Sequence, residues 1–86
     1  MYVIIVYDVS IERVNKVRAF LRRYLKWVQN SVFEGELTPA EYEKVKYELS
    51  KMISTQDSII LYKFRTEREV NRETIGSEKG YVDILI

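Results

Sequence analysis

The sequence predicts an α+β sandwich, with two helices laid on one face of an antiparallel sheet. Three observations predict it: an opening apolar, β-branched run, two segments with apolar residues at helical spacing, and further apolar stretches of strand length after each of them. At 86 residues the chain forms a single domain, residues 1–86, because a chain this short cannot divide its apolar residues between two cores.

The elements follow in order. Tyr2 to Tyr7 is nearly unbroken in its apolar character, as a central strand covered on both faces would be. Ser10 can cap a helix, and from Val14 the residues Val17, Phe20, Leu21, Tyr24 and Leu25 recur at three-and-four spacing, predicting a first helix over about Ile11 to Lys26. Trp27 to Leu37 mixes aromatic and β-branched residues with polar ones and is expected to form a tight hairpin. Thr38, Pro39 and Glu41 supply an N-cap, a proline in the first turn and the acid of a capping box, so a second helix starts there. Its apolar face is Tyr42, Val45, Leu49, Met52 and Ile53. Asp57 to Phe64 is expected as a second buried strand, and Thr74 to Gly76 as a short strand and turn. The segment Val82 to Ile86 is apolar to its last residue and needs something to pair with. This order of strand, helix, strand pair, helix and strand, with one extra strand at the end, fits a ferredoxin-like sandwich.

Composition narrows the chemistry. The chain has no histidine and no cysteine, which excludes a Ser-His-Asp triad, a cysteine nucleophile, a zinc site and a disulfide framework. Carboxylates, hydroxyls, Lys, Arg or a bound metal must carry any catalysis. The apolar run Met1 to Tyr7 is too short to span a bilayer and follows no basic segment, so a soluble, cytoplasmic protein without a membrane partner is expected. Fourteen Lys and Arg against thirteen Asp and Glu give a net charge of +1, so only the distribution of charge can identify a polyanion partner.

Asp8 is the one charge at the end of the first apolar strand. It reads either as an Asx turn or helix cap, or as a ligand for a hard cation such as magnesium, with two Asp8 side chains meeting across a dimer axis. The first helix segment carries Arg13, Lys16, Arg18, Arg22, Arg23 and Lys26 with no acid between them. On a helical projection most of these lie opposite the apolar face, a one-sign stripe that reads as a polyanion surface or as a solvated helix face. Gln29, Ser31, Val32, Phe33 and Gly35 form a compact cluster, in which the Ser31 hydroxyl has no base to activate it.

The Tyr7-Asp8 strand end, the basic amphipathic helix, the Ser-Val-Phe-x-Gly cluster, the second helix and the apolar last segment together resemble the small CRISPR-associated adaptation proteins of the Cas-two family. The resemblance runs over essentially the whole chain. It implies a ferredoxin-like homodimer whose last strand is exchanged between copies. It implies a magnesium-dependent nuclease with Asp8 as metal ligand and catalytic residue, and Tyr7, Ser31 and Phe33 lining a cleft. It also implies a scaffold role in spacer acquisition, in which the dimer bridges the Cas-one integrase and holds duplex DNA on Arg13, Lys16, Arg18 and their basic neighbours, with single-stranded RNA as a further substrate. Two alternatives stand beside it: a toxin-like, stand-alone endoribonuclease of the related family, and a small-molecule regulatory domain on the same sandwich. An RNA-recognition module is disfavoured because no strand shows its paired aromatic signature.

Overall fold

A computed structural model of the chain describes residues 1–79. The expected exchanged strand at Val82 to Ile86 lies outside the described residues. Four strands, β1 (Tyr2–Asp8), β2 (Lys26–Gln29), β3 (Val32–Glu36) and β4 (Ser58–Phe64), form one antiparallel sheet in the order β2-β3-β1-β4. Two helices, α1 (Ile11–Leu21) and α2 (Pro39–Met52), cover one face of it. Among the described residues no helix is long and apolar enough to cross a membrane.

The period of two along β1 decides which side chains meet the helices. Val3, Ile5 and Tyr7 point into a core shared with Val17, Phe20 and Leu21 of α1, Phe33 of β3, and Tyr42, Val45 and Leu49 of α2. Tyr2, Ile4 and Val6 take the opposite face, where Ile4 stands between Glu34 and Tyr62, and Val6 between Val32 and Ile60. Helix α2 begins as its sequence predicts: the Glu41 amide donates to Thr38 Oγ1 at 3.1 Å and the Thr38 amide to Glu41 Oε1 at 2.9 Å.

Four expectations need correction. Helix α1 ends at Leu21 rather than Lys26, because the Arg23 and Tyr24 amides turn back to the Phe20 and Leu21 carbonyls and tighten the last turn. Leu25 still serves the core, at 7% exposure, but from the approach to β2, with Gly35 lying over it. A Cβ at position 35 would stand 3.1 Å from Leu25 Cδ2, a tight contact that this glycine avoids within a continuous strand. Ser10 occupies the N-cap of α1, but its side chain makes no capping bond. Strand β4 is an edge strand in the described sheet, with Ile60 and Tyr62 about half exposed, and residues 74–76 form a bend around Gly76 (φ 94°) instead of a strand. The hairpin forms as expected through Asn30 and Ser31, with Asn30 at φ 40° in the left-handed region its side chain tolerates.

Candidate functional site

Asp8 closes β1 and lies opposite Ser58, the first residue of β4. Its residue is exposed, and its carboxylate has no hydrogen bond or ion pair among the described residues. A strand end in the middle of a sheet is a rigid support, so this carboxylate is held at a fixed place. Among the described residues no group of three or more Asp, Glu, His or Cys could hold a metal ion, so one chain offers a cation a single free carboxylate here. That donor set suits magnesium only if a second carboxylate or a substrate phosphate completes it.

The acid beside it is committed elsewhere. Asp57, the residue before β4, has a side chain only 2% exposed. Its Oδ1 accepts from the Ser10 amide at 3.1 Å and from Arg13 Nη2 at 3.2 Å, and its Oδ2 from Arg13 Nε at 2.6 Å and the Ser54 amide at 3.0 Å. The bond from Arg13, followed by that from the Ser54 amide, holds the Asp57 carboxyl well below the usual carboxylate range. Arg13 also donates to Ser54 Oγ at 3.0 Å. The sequence reading places Asp57 only as the first residue of the following strand, which begins instead at Ser58; the signal for its role is its position as the only acid between Glu48 and Glu67, in a polar turn directly before that strand. Arg13, expected on the nucleic-acid surface, is instead spent on this acid, because its planar fork matches a carboxylate.

The other cations of that stretch differ from Arg13. Lys16, Arg22, Arg23 and Lys26 are exposed and Arg18 is half-buried; among the described residues none of the five has an acid within ion-pair distance, although Lys26 stands opposite Glu34 in the β2–β3 ladder and its charge favours that carboxylate. Lys46 and Lys51 on α2 lie 3.7 and 3.6 Å from Glu43 and Glu48, as ordinary surface lysines do. Arg23 also lies 6.0 and 5.8 Å above the Phe20 and Tyr24 rings. Lys26 belongs to β2, so the basic surface is built from α1, the turn after it and a strand rather than from one helix face.

Tyr7 and Phe33 were expected along a cleft, but both face the helices. They are 3% and 0% exposed, with ring centroids 6.1 Å apart, because odd positions of β1 and the residue paired with Ile5 share the core face. The Tyr7 hydroxyl is buried without a partner, and burial raises its phenol above the ordinary value while the Arg18 and Arg22 charges pull the other way. Ser31 contributes its carbonyl, which accepts the Tyr7 amide at 3.0 Å. The Ser-Val-Phe cluster therefore fastens β3 to the strand that carries Asp8.

Fold and site together define a class: a small α+β domain that presents one carboxylate without a partner among the described residues at the end of its central strand, and a run of cations along α1 and into β2. The chain belongs to the CRISPR-associated Cas2 family, the Cas-two proteins of the resemblance, whose family model, CRISPR associated protein Cas2, matches residues 1–72. It is 56% identical to the CRISPR-associated endoribonuclease Cas2 of Methanosarcina acetivorans and 54% identical to that of Pyrococcus furiosus, each comparison spanning all of this chain and all of the relative. A structure described as the crystal structure of Cas2 superposes with a TM-score of 0.86 at 43% identity, over 92% of this chain and 90% of that one.

Proposed function

We propose that this protein acts as a homodimer in CRISPR spacer acquisition, holding duplex DNA and bridging the Cas-one integrase, with a magnesium-dependent phosphodiesterase activity at Asp8. The observation that carries the reading is the run of cations Lys16, Arg18, Arg22 and Arg23, continued by Lys26, with no acid within ion-pair distance among the described residues, in a chain of net charge +1. Concentrating unneutralised charge in one stretch of a near-neutral protein is what phosphate contacts require. A second copy is supported by the face of the sheet turned away from the helices, where Ile60 and Tyr62 are 48% and 49% exposed beside Ile4 and Val6.

If two Asp8 carboxylates approach across the dimer, they would hold one magnesium ion, which supplies an acidified water and charge stabilisation on a phosphate. This chain's own part is to present the carboxylates from rigid strand ends and to position the polyanion on the basic surface. The relatives' name, endoribonuclease, favours a second reading, a stand-alone ribonuclease with the same metal site. The test is Asp8→Asn: cleavage of RNA or DNA should fall by orders of magnitude, while duplex binding and spacer integration persist. Integration lost from an Asp8→Asn protein that still dimerises and binds DNA would overturn the scaffold role. Cleavage undiminished by Asp8→Asn would remove Asp8 from the chemistry.

A further inference from the structure

A buried acid that touches no substrate surface and sits one residue from the partner of Asp8 calls for an explanation. Asp57 gathers three pieces of backbone: the connection after β1 through the Ser10 amide, the first turn of α1 through Arg13, and the connection after α2 through the Ser54 amide. Asp8 lies between two of these fixed points. On one side its ladder partner Ser58 is bonded covalently to Asp57; on the other, Ser10 is two residues along the chain and gives its amide to the same carboxylate.

Fold stability alone does not account for such a choice. Covering the Asp57 carboxylate, whose side chain is 2% exposed beside an Arg13 side chain that is 26% exposed, is costly, and apolar replacements of buried pairs are often neutral or better. What an ionised fork adds is a defined geometry, because each oxygen accepts from two donors at set angles. The connection into α2, at the opposite end of β1, is closed by an exposed capping box and by the Leu37 amide on the Met1 carbonyl at 2.8 Å, while the other buried acid, Glu34, is held by Tyr2 and Arg72 and fastens no connection next to Asp8. The clamp is also the device that starts α1, since the Ser10 hydroxyl makes no cap bond and the helix N-terminus is met by the Asp57 charge instead.

We infer that Asp57 and Arg13 are positioning residues for Asp8, fixing the backbone on both sides of it so that its carboxylate is delivered to one place. The inference rests on the reading of Asp8 given above. Supporting groups around a metal ligand typically alter affinity by about 10–100-fold when removed, and the same scale is expected here. In Asp57→Asn the amide keeps one acceptor for the backbone amides but loses the charge that locks Arg13.

The experiment uses the intact dimer at a temperature where each variant is folded by circular dichroism. Mn2+ binding is followed by electron paramagnetic resonance, and the chain's lack of cysteine allows a spin label at Asp8→Cys to report local mobility separately. Asp57→Asn should weaken Mn2+ binding about tenfold or more, leave duplex affinity within about twofold because phosphate contacts come from other residues, and mobilise the label. Arg13→Lys, which keeps charge without the fork, should fall between, and it serves if Asp57→Asn does not fold. Unchanged Mn2+ affinity in both variants, with wild-type binding abolished by Asp8→Asn, would overturn the inference while sparing Asp8. Asp8→Asn without effect on Mn2+ would instead remove the metal reading, and an unmoved label would then refute the positioning role as well.

Discussion

Arg72 and Glu34, 38 residues apart, form an ion pair on the face of the sheet turned away from the helices, where the Tyr2 hydroxyl donates to the other Glu34 oxygen at 2.8 Å. Burial works against ionising Glu34, but the bonds from Arg72 and Tyr2 prevail and hold its carboxyl below the usual range. Tyr2 answers in the opposite sense, its phenol pushed up by burial and by the adjacent carboxylate. The pair ties the segment after β4 back over β1 and β3, and it explains why a glutamate in β3 is 2% exposed.

The first prediction follows from this pair. The folded value of Glu34 lies below its unfolded one, so its contribution to stability is present above the ordinary glutamate value of about 4.3 and is lost as pH falls through the folded value. Arg72→Ala should lower stability by about 1 kcal/mol, well short of the ~3–5 kcal/mol for breaking a fully buried pair, because the Arg72 side chain is 42% exposed. It should also move the acid unfolding limb to higher pH, and Glu34→Gln should flatten that limb. Urea melts repeated across the acid range measure both, and an acid limb unchanged in the two variants would show that the pair contributes nothing to folding.

A second concerns the cations. Duplex affinity should fall with salt at a log-log slope of about −0.9 per phosphate neutralised, and Lys16→Ala or Arg22→Ala should each flatten it by up to about 0.9. Arg13→Ala, although it removes a positive charge from the same helix, should leave the slope unaltered because its guanidinium is held by Asp57. Equal effects from all three would return Arg13 to the binding surface.

The exposed sheet face gives a third. Ile60→Lys or Tyr62→Lys places a charge on the face proposed to receive a second copy, where desolvation would be costly. Light scattering should report a dimer for the unaltered protein and a monomer for either variant; a dimer that persists in both would move the interface elsewhere.

A fourth separates Ser31 from Phe33 within the Ser-Val-Phe cluster. Phe33→Ala removes a fully buried ring and should cost about 3–5 kcal/mol. Ser31→Ala should cost less than about 0.5 kcal/mol, since the contact made by Ser31 is through its carbonyl. Thermal melts of the two variants check the contrast.

Local signals in the sequence correspond to local causes in the structure. Thr38, Pro39 and Glu41 specify the start of α2 within four residues, and the apolar run Tyr2 to Tyr7 specifies an interior strand, though not which of its faces meets the helices. The free carboxylate of Asp8 and the unneutralised run from Lys16 to Lys26 were legible for the same reason, as each is visible from its immediate neighbours. The end of α1 was not, because Tyr24 and Leu25 continue the helical spacing while the chain uses Leu25 to fill the core from a turn. The Asp57 clamp escaped detection because its partner Arg13 is 44 residues away, and a lone acid before a strand looks like turn chemistry. That Tyr7 and Phe33 lie in the core of the chain was not legible, because it depends on which face of the sheet the helices cover, and the strands alone do not decide that.

The strand order β2-β3-β1-β4 has a consequence for the newborn chain. β1 is made first yet occupies the middle of the sheet, with one flank taken by β3 and the other by the late strand β4, in a register that runs from Tyr2 against Phe64 to Asp8 against Ser58. Until residue 64 has been synthesised, a Val- and Ile-rich strand stands with one flank unpaired, an adhesive template for any neighbouring polypeptide. Translation that stalls between β3 and β4 should therefore yield a sticky fragment rather than a smaller soluble domain, and the cell's holding chaperones should engage this protein during synthesis rather than after it.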